Sequence, residues 1–212
     1  MTPSTFEVPR PAAPDARDGA RHASPASRPG TSPLAAVLAS APGIGHHLGA
    51  ADAAATLIVY GTYECLHCRR AWPALRALAT ASDALVAVTW RHFAPPGAFP
   101  NAAATAAGVE AAAEQGRFWA MHEALMAAPA PIWPEALAGH AAALGLDAAR
   151  FAAAVHSDAV RDRLTAQTEA AVAHGVRGTP TVLLTRDGAE PLRLDARDPD
   201  ALADAVRAAL AV

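Results

Sequence analysis

The chain has 212 residues, of which 52% are hydrophobic, and a formal net charge of −3. This length and apolar content suit one domain of ordinary size. The charge balance lacks the basic patch of a protein that binds nucleic acid or an anionic membrane surface, so we expect neither partner. No apolar run approaches the roughly 18 residues of a membrane-spanning helix, so we expect no membrane span.

The first part of the chain differs in composition from the rest. Residues 1–45 are rich in Pro, Ala and Arg, which predicts a disordered tail. Its first apolar cluster, residues 34–39, comes later and is shorter than the roughly 7–15-residue apolar segment of a secretory signal. We therefore expect a cytoplasmic protein, with an exported form if the start codon is misassigned.

Strand and helix patterns alternate from about residue 46 onward. The continuous apolar run at residues 57–60 predicts a buried central strand. Apolar residues at helical spacing within residues 69–78 predict a helix, and alternation within residues 85–93 predicts a second strand. These segments predict a strand, helix and strand in sequence.

A long alanine-rich helical region comes next and begins at Asn101. Apolar spacing from Phe118 onward marks one helix, Asp147 is predicted to cap another, and Asp158 to start a third. The third helix is predicted to end at Gly175.

The C-terminal part returns to the sheet pattern. Residues 181–184 predict a third strand, and the Asp-Gly pair at 187–188 predicts a hairpin turn into an edge strand at 191–194. Asp198 is predicted to cap the last helix. The whole pattern predicts an α/β fold.

The two cysteines, Cys65 and Cys68, stand between the first predicted strand and the first predicted helix. This spacing places both sulfurs on the first helical turn. The helix N-terminus supplies free N–H groups and partial positive charge, which favour a thiolate. Because the thiolate is the attacking species in disulfide exchange, this arrangement predicts a redox pair.

Two other interpretations of the pair stay open. A structural zinc site would need further Cys or His ligands, but there is no second Cys pair, and His46 and His47 are adjacent rather than about three to five residues apart. We therefore predict no metal. Two buried, inert cysteines are the third interpretation, against which the polar neighbours Glu64 and His67 argue.

Three segments in this order, residues 63–68, 116–122 and 175–181, resemble DsbA-type thiol oxidoreductases. The similarity is greatest to the branch with a Tyr-Glu-Cys-Pro-x-Cys signature, which is also fused to some sodium/proton antiporters. The resemblance covers residues 46–212 and implies a thioredoxin-like fold with a helical insertion at about residues 100–175.

The resemblance also implies roles for individual residues. Cys65 would be the exposed nucleophile and Cys68 the more buried resolving thiol. Pro180 matches a cis-proline beside the cysteines, which would leave the backbone of Thr179 free to pair with an extended substrate. His67, between the two thiols, would stabilise the Cys65 thiolate.

The sequence departs from the family pattern at two positions. Leu66 replaces the proline of the signature, so the first helical turn is less pre-organised. Val59 stands where relatives often carry a buried acid that moves protons for the resolving thiol. Strand alternation predicts that Glu64 lies too near the surface to replace that acid.

We therefore predict a thiol–disulfide oxidoreductase without metal, nucleotide or flavin. Its partners would be protein or small-molecule thiols and disulfides, together with a redox partner protein. One alternative is a non-catalytic, chaperone-like module that binds peptides. A second is a relative of the glutathione-dependent transferases and isomerases, although those use a Ser or a lone Cys rather than an intact pair.

Overall fold

The computed structural model describes residues 44–81, 83, 85–94, 97–186 and 189–210. The predicted tail lies almost entirely outside these residues, as does the predicted turn at 187–188. The strands are β1 (His46–Leu48), β2 (Ala55–Gly61), β3 (Val86–His92), β4 (Thr181–Thr185) and β5 (Leu192–Leu194).

The five strands form one mixed sheet in the order β1-β3-β2-β4-β5. The central strands β2 and β3 are parallel, and the other neighbouring pairs are antiparallel. A parallel pair needs a crossover connection, and the helix after the cysteines supplies it. The end of β2, from which the cysteine segment leaves, therefore lies in the middle of the sheet.

Seven α-helices lie within the described residues: α1 (Leu66–Ala79), α2 (Ala102–Ala113), α3 (Phe118–Ala127), α4 (Leu137–Ala143), α5 (Ala148–Val155), α6 (Asp158–Ala173) and α7 (Pro199–Leu210). Helices α2 to α6 all stand between β3 and β4. This mixed architecture confirms the predicted α/β class. None of the described helices combines the length and apolar character needed to cross a membrane.

Strand β2 is buried on both faces, which explains its continuous apolar run. Leu57 and Val59 belong to the main core, together with Trp72 of α1 and Leu202 of α7. Alternate residues of the strand, such as Tyr60, point to a smaller core on the other face.

Local capping signals set two of the helix starts. Asp147 accepts a hydrogen bond from Arg150 N at 2.8 Å and caps α5, as predicted. Helix α6 begins at Asp158, as predicted, and Ser157 caps it by accepting a hydrogen bond from Val160 N at 3.2 Å. Ser and Asp are both favourable N-cap residues, so each of these helix starts has a cap that suits it.

Candidate active site

The cysteine pair lies at the N-terminus of α1. Cys65 is the N-cap residue, with extended backbone geometry, and Cys68 lies in the first turn. Both are free thiols. No side chain caps this helix end, so its N–H groups are available to a sulfur atom.

These N–H groups and the neighbouring thiol lower the pKa of Cys65 to about 5. The largest cause is the hydrogen bond from the Cys68 thiol, which outweighs burial of the sulfur. Smaller contributions come from the N–H of Cys68, from Thr179 and from the N–H of His67. Cys65 therefore carries a thiolate at neutral pH, the form that attacks disulfides.

Cys68 behaves in the opposite way. Burial, followed by its hydrogen bond to Cys65, raises the pKa of the Cys68 thiol well above its usual range. The Cys65 sulfur is thus an anion. The Cys68 sulfur keeps its proton and donates a hydrogen bond to that anion.

Cys65 is less exposed than predicted. It is only 4% exposed, against 1% for Cys68, so the expectation of an exposed nucleophile was wrong. The segment before β4 lies against the sulfur, and Cys65 Sγ donates to the Thr179 carbonyl at 3.3 Å in its thiol form. Spacing along the chain could not show this contact, because 114 residues separate the two partners.

The ring of His67 does not make the expected contact with Cys65 in the part of the chain that the structure describes. His67 is exposed, and its backbone N–H rather than its ring acts on the sulfur. Its charge instead adds a minor contribution to the low pKa of Asp195, which hydrogen bonds from Arg197 lower to about 2.

The segment that carries Thr179 and Pro180 is anchored at both ends. The Thr179–Pro180 peptide bond is cis. Upstream, His174 ends α6 and its Nδ1 lies 2.6 Å from the hydroxyl of Tyr60 on β2. Downstream, Arg193 donates to the Thr181 hydroxyl at 3.3 Å. These contacts fix the position of the Thr179 carbonyl over Cys65.

A buried arginine determines the direction of the Tyr60–His174 hydrogen bond. Arg91 is 3% exposed and donates to the Tyr60 hydroxyl at 2.8 Å. Because arginine can only donate, the Tyr60 hydrogen is free to go to His174 Nδ1. Burial and the nearby Arg91 charge lower the pKa of His174 to about 4, so this histidine is neutral at pH 7.

The neutral His174 predicts a pH-dependent stability. Because its pKa in the fold lies below the 6.5 of an unperturbed histidine, its contribution is fully present above pH 6.5 and is lost as pH falls toward about 4. His174→Asn keeps an acceptor for Tyr60 but cannot be protonated. We expect this variant to lose less unfolding free energy than the parent between these pH values, measured by urea denaturation.

The matched control for this prediction is His156→Asn at an exposed position. It should follow the pH profile of the parent. An unchanged profile for His174→Asn would show that His174 does not contribute to the acid sensitivity.

Sequence reasoning missed a buried carboxylate. Glu110 of α2 is 0% exposed. It accepts hydrogen bonds from Gln167 Nε2 at 2.8 Å and Arg163 Nη1 at 2.9 Å, and His46 Nε2 lies 3.0 Å away. Contacts with His46 and His92 hold the pKa of Glu110 far below its usual range despite burial. The only available signal was a single charged residue in an otherwise uncharged helix.

Tyr63, two residues before Cys65, forms a buried pair with His122 of α3. Tyr63 and His122 are both 0% exposed, and the Tyr63 hydroxyl lies 3.0 Å from His122 Nδ1. The His122 ring packs edge-on against Trp72 and Trp90 at centroid distances of 4.2 and 4.6 Å. Burial lowers the pKa of His122 well below its usual range, so the ring is neutral.

Neither Val59, at the position where relatives often carry an acid, nor Glu64 supplies an acid to the cysteines. Val59 is 0% exposed and apolar. Glu64 is half-buried, and its carboxylate accepts from Asn101 N at 2.9 Å and Asn101 Nδ2 at 3.1 Å. Glu64 thus joins the cysteine segment to the start of α2.

The described part of the chain does not offer a complete set of metal ligands around the cysteines. No group of three or more His, Cys, Asp and Glu side chains among these residues could hold a metal ion. The zinc interpretation therefore has no additional ligand to draw on within these residues.

The family model of the DSBA-like thioredoxin domain matches residues 95–207. The chain belongs to this family. This match confirms the resemblance that residues 63–68, 116–122 and 175–181 indicated. Family membership is consistent with a thiol–disulfide oxidoreductase.

Solved structures share the fold. A thioredoxin-like oxidoreductase from Silicibacter pomeroyi is 24% identical, with a TM-score of 0.67 over 83% of this chain and 97% of its own. Pseudomonas aeruginosa DsbA2 is 22% identical, with a TM-score of 0.64 over 80% and 96%. The catalytic domain of Proteus mirabilis ScsC is also 22% identical, with a TM-score of 0.66 over 84% and 98%. These similarities confirm a thioredoxin-like fold.

Relatives of higher identity are sodium/proton antiporters. NhaA of Herminiimonas arsenicoxydans is 38% identical over 143 residues, which are 66% of this chain and 22% of the antiporter. NhaA 1 of Salinispora arenicola is 35% identical over 136 residues, 64% of this chain and 21% of the antiporter. The chain thus spans about a fifth of these relatives, consistent with the predicted antiporter-fused branch.

Proposed function

We propose that this protein is a thiol–disulfide oxidoreductase that exchanges disulfides through Cys65 and Cys68. One observation carries the proposal: two free thiols share a helix N-terminus, where the Cys68 thiol and the N–H groups of His67 and Cys68 face the Cys65 sulfur. This arrangement separates the two thiols into an attacking anion and a protonated partner.

The reaction transfers two electrons between protein and substrate. The Cys65 thiolate attacks a substrate disulfide, whose S–S bond breaks, and one substrate thiolate leaves. The resulting mixed disulfide is attacked by Cys68 after it loses its proton. This second attack forms the Cys65–Cys68 disulfide and releases the other substrate sulfur as a thiolate, which takes up a proton. The reverse sequence oxidises a substrate dithiol.

Substrates would dock beside the Thr179–Pro180 segment. An extended chain can pair with the Thr179 backbone through main-chain hydrogen bonds, which tolerate many side chains. Leu66 is 55% exposed next to Cys65 and offers an apolar contact. These features suit protein disulfides as well as small ones, with a partner protein renewing the redox state.

The low pKa of Cys65 also bears on the direction of exchange. A stabilised thiolate favours the reduced protein, so its disulfide is oxidising. In a cytoplasm held at about −220 to −260 mV by glutathione, such a couple would be mostly reduced. Our proposal for a cytoplasmic form is therefore a reductant or relay, whereas an exported form would oxidise its substrates.

A titration of the thiolate by ultraviolet absorbance tests the proposal. We expect a midpoint near the Cys65 pKa of about 5. Cys68→Ala should raise this midpoint, because the Cys68 thiol is the largest cause of the low value. The control, His67→Ala, should leave it unchanged, because only the backbone of His67 faces the sulfur. A parent midpoint near about 8.5, that of a free thiol, would refute the proposal.

A further inference from the structure

A cavity of about 160 Å³ lies behind the cysteine segment. It forms where β2 and β3 end beneath α2 and α6, and its lining includes Thr62, His92, Ala106, Leu164 and Thr168. Thr168 is exposed, so the cavity reaches the surface along α6. Its volume is large enough to hold several water molecules.

Two polar atoms of the lining residues lack a well-formed hydrogen bond among the described residues. They are Thr62 Oγ1 and His92 Nε2, and the Glu110 carboxylate lies 3.4 Å from the second. Thr62 is 3% exposed and His92 is 4% exposed. Buried polar atoms of this kind are normally satisfied, and a cavity of this size next to them is suited to water.

Thr62 also touches the resolving thiol. Its backbone N–H donates to the Cys68 sulfur, and its carbonyl accepts from Cys65 N at 3.4 Å. One residue thus contacts both the cavity and Cys68.

The second half of the exchange reaction requires Cys68 to lose a proton. In the mixed disulfide, the substrate occupies the Cys65 side of the site, and Cys68 is 1% exposed. A route on the side away from the substrate would let Cys68 lose its proton before the substrate sulfur leaves.

We propose that the cavity is the exit for the Cys68 proton, with the Thr62 hydroxyl and cavity water carrying it to solvent. The Cys68 S–H bond breaks, the proton passes by way of the hydroxyl and water to bulk solvent, and the sulfur keeps the electron pair with which it attacks Cys65. No electrons leave the pair in this step. The inference rests on the proposed function and adds Thr62 and His92 as positioning residues.

His92 is placed to hold the water. Trp90 Nε1 donates to His92 Nδ1 at 3.4 Å, so the hydrogen of the neutral ring is on Nε2 and can be donated. The Glu110 carboxylate lies 3.4 Å from this Nε2 and supplies negative charge that favours a passing proton.

Other titratable groups surround the two ends of this route. Those that act on Cys68 or respond to its charge are Cys65 and Tyr63. Those that act on His92 or respond to its charge are Glu110, His46 and His122.

Thr62→Val tests the route, because it removes the hydroxyl and keeps the shape of the side chain. Oxidised glutathione would form the mixed disulfide with the reduced protein, and release of the second glutathione would be followed against pH. We expect release to slow by about tenfold or more at neutral pH and its pH profile to move upward. Iodoacetamide should alkylate Cys65 of Thr62→Val at the same rate as Cys65 of the parent.

Thr168→Val is the matched control on the same cavity. The Thr168 hydroxyl donates to Leu164 O at 3.0 Å within its own helix, so its loss should not change release. Ala106→Leu is a second variant that fills the cavity and leaves Thr62 intact, and it should also slow release. Circular dichroism would check that each variant folds.

Two results would overturn the inference in different ways. If the mixed disulfide forms but Thr62→Val and Ala106→Leu release glutathione at the rate of the parent at every pH, the proton route is wrong while the exchange reaction stands. If the parent forms no mixed disulfide although Cys65 is alkylated, the proposed function fails and the route fails with it.

Discussion

Cys65→Ser is expected to reduce disulfide exchange to the uncatalysed background, whereas Cys68→Ser should accumulate mixed disulfides. The two sulfurs differ because hydrogen bonds lower the pKa of Cys65 to about 5, while burial raises that of Cys68. Without Cys65 there is no thiolate to attack, and without Cys68 the attack occurs but is not resolved. Reduction of insulin disulfides and non-reducing gels measure the two effects.

The same variants separate the oxidoreductase from a chaperone-like module. Peptide binding alone would be favoured by two results together. The parent would show no exchange activity, and Cys65→Ser would suppress aggregation as well as the parent does. Equal trapping by both variants would contradict the assignment of roles, because it would mean that either sulfur can attack first. The double variant Cys65→Ser/Cys68→Ser has neither thiol, so it measures the background of both assays.

Glu110→Ala should lower the free energy of unfolding by about 1–3 kcal/mol, the usual cost of leaving a buried hydrogen-bonding group without its partner. The carboxylate is 0% exposed and accepts from Arg163 and Gln167, with His46 3.0 Å away. Its removal leaves the fully buried Gln167 amide without its acceptor, whereas the Arg163 side chain is 37% exposed and can turn to water. Equilibrium denaturation in guanidinium chloride measures the change.

Glu123→Ala is the matched control for this prediction. Glu123 pairs with Arg76 at 2.9 Å, but the two side chains are 42% and 58% exposed. A surface pair of this kind contributes about 0–1 kcal/mol, so the control should lose little stability. If Glu110→Ala lost no more than Glu123→Ala, the buried cluster would not stabilise the fold.

The order of elements could be predicted from the sequence because its signals are local. The apolar run of β2 and the helical spacing after it lie within a few residues of one another, and so do the two cysteines. The placement of Cys65 and Cys68 at a helix N-terminus follows from that spacing alone. The α/β class and the family resemblance depended on such short segments.

Contacts between distant segments were decided only by the tertiary structure. The Thr179 carbonyl covers Cys65 across 114 residues, which made the predicted nucleophile a buried one. Glu64 pairs with Asn101, 37 residues away, rather than remaining beside the cysteines as a free acid.

The sequence by itself determined the cysteine pair and the elements that carry it, because periodicity and spacing are properties of neighbouring residues. The packing of α2 and α6 against the sheet decided the rest. It buried Glu110 with Gln167, 57 residues away, and brought Leu164 to the cavity beside Thr62. A single carboxylate in an alanine-rich helix has the same local pattern whether it meets water or a buried glutamine, so only the fold could distinguish the two.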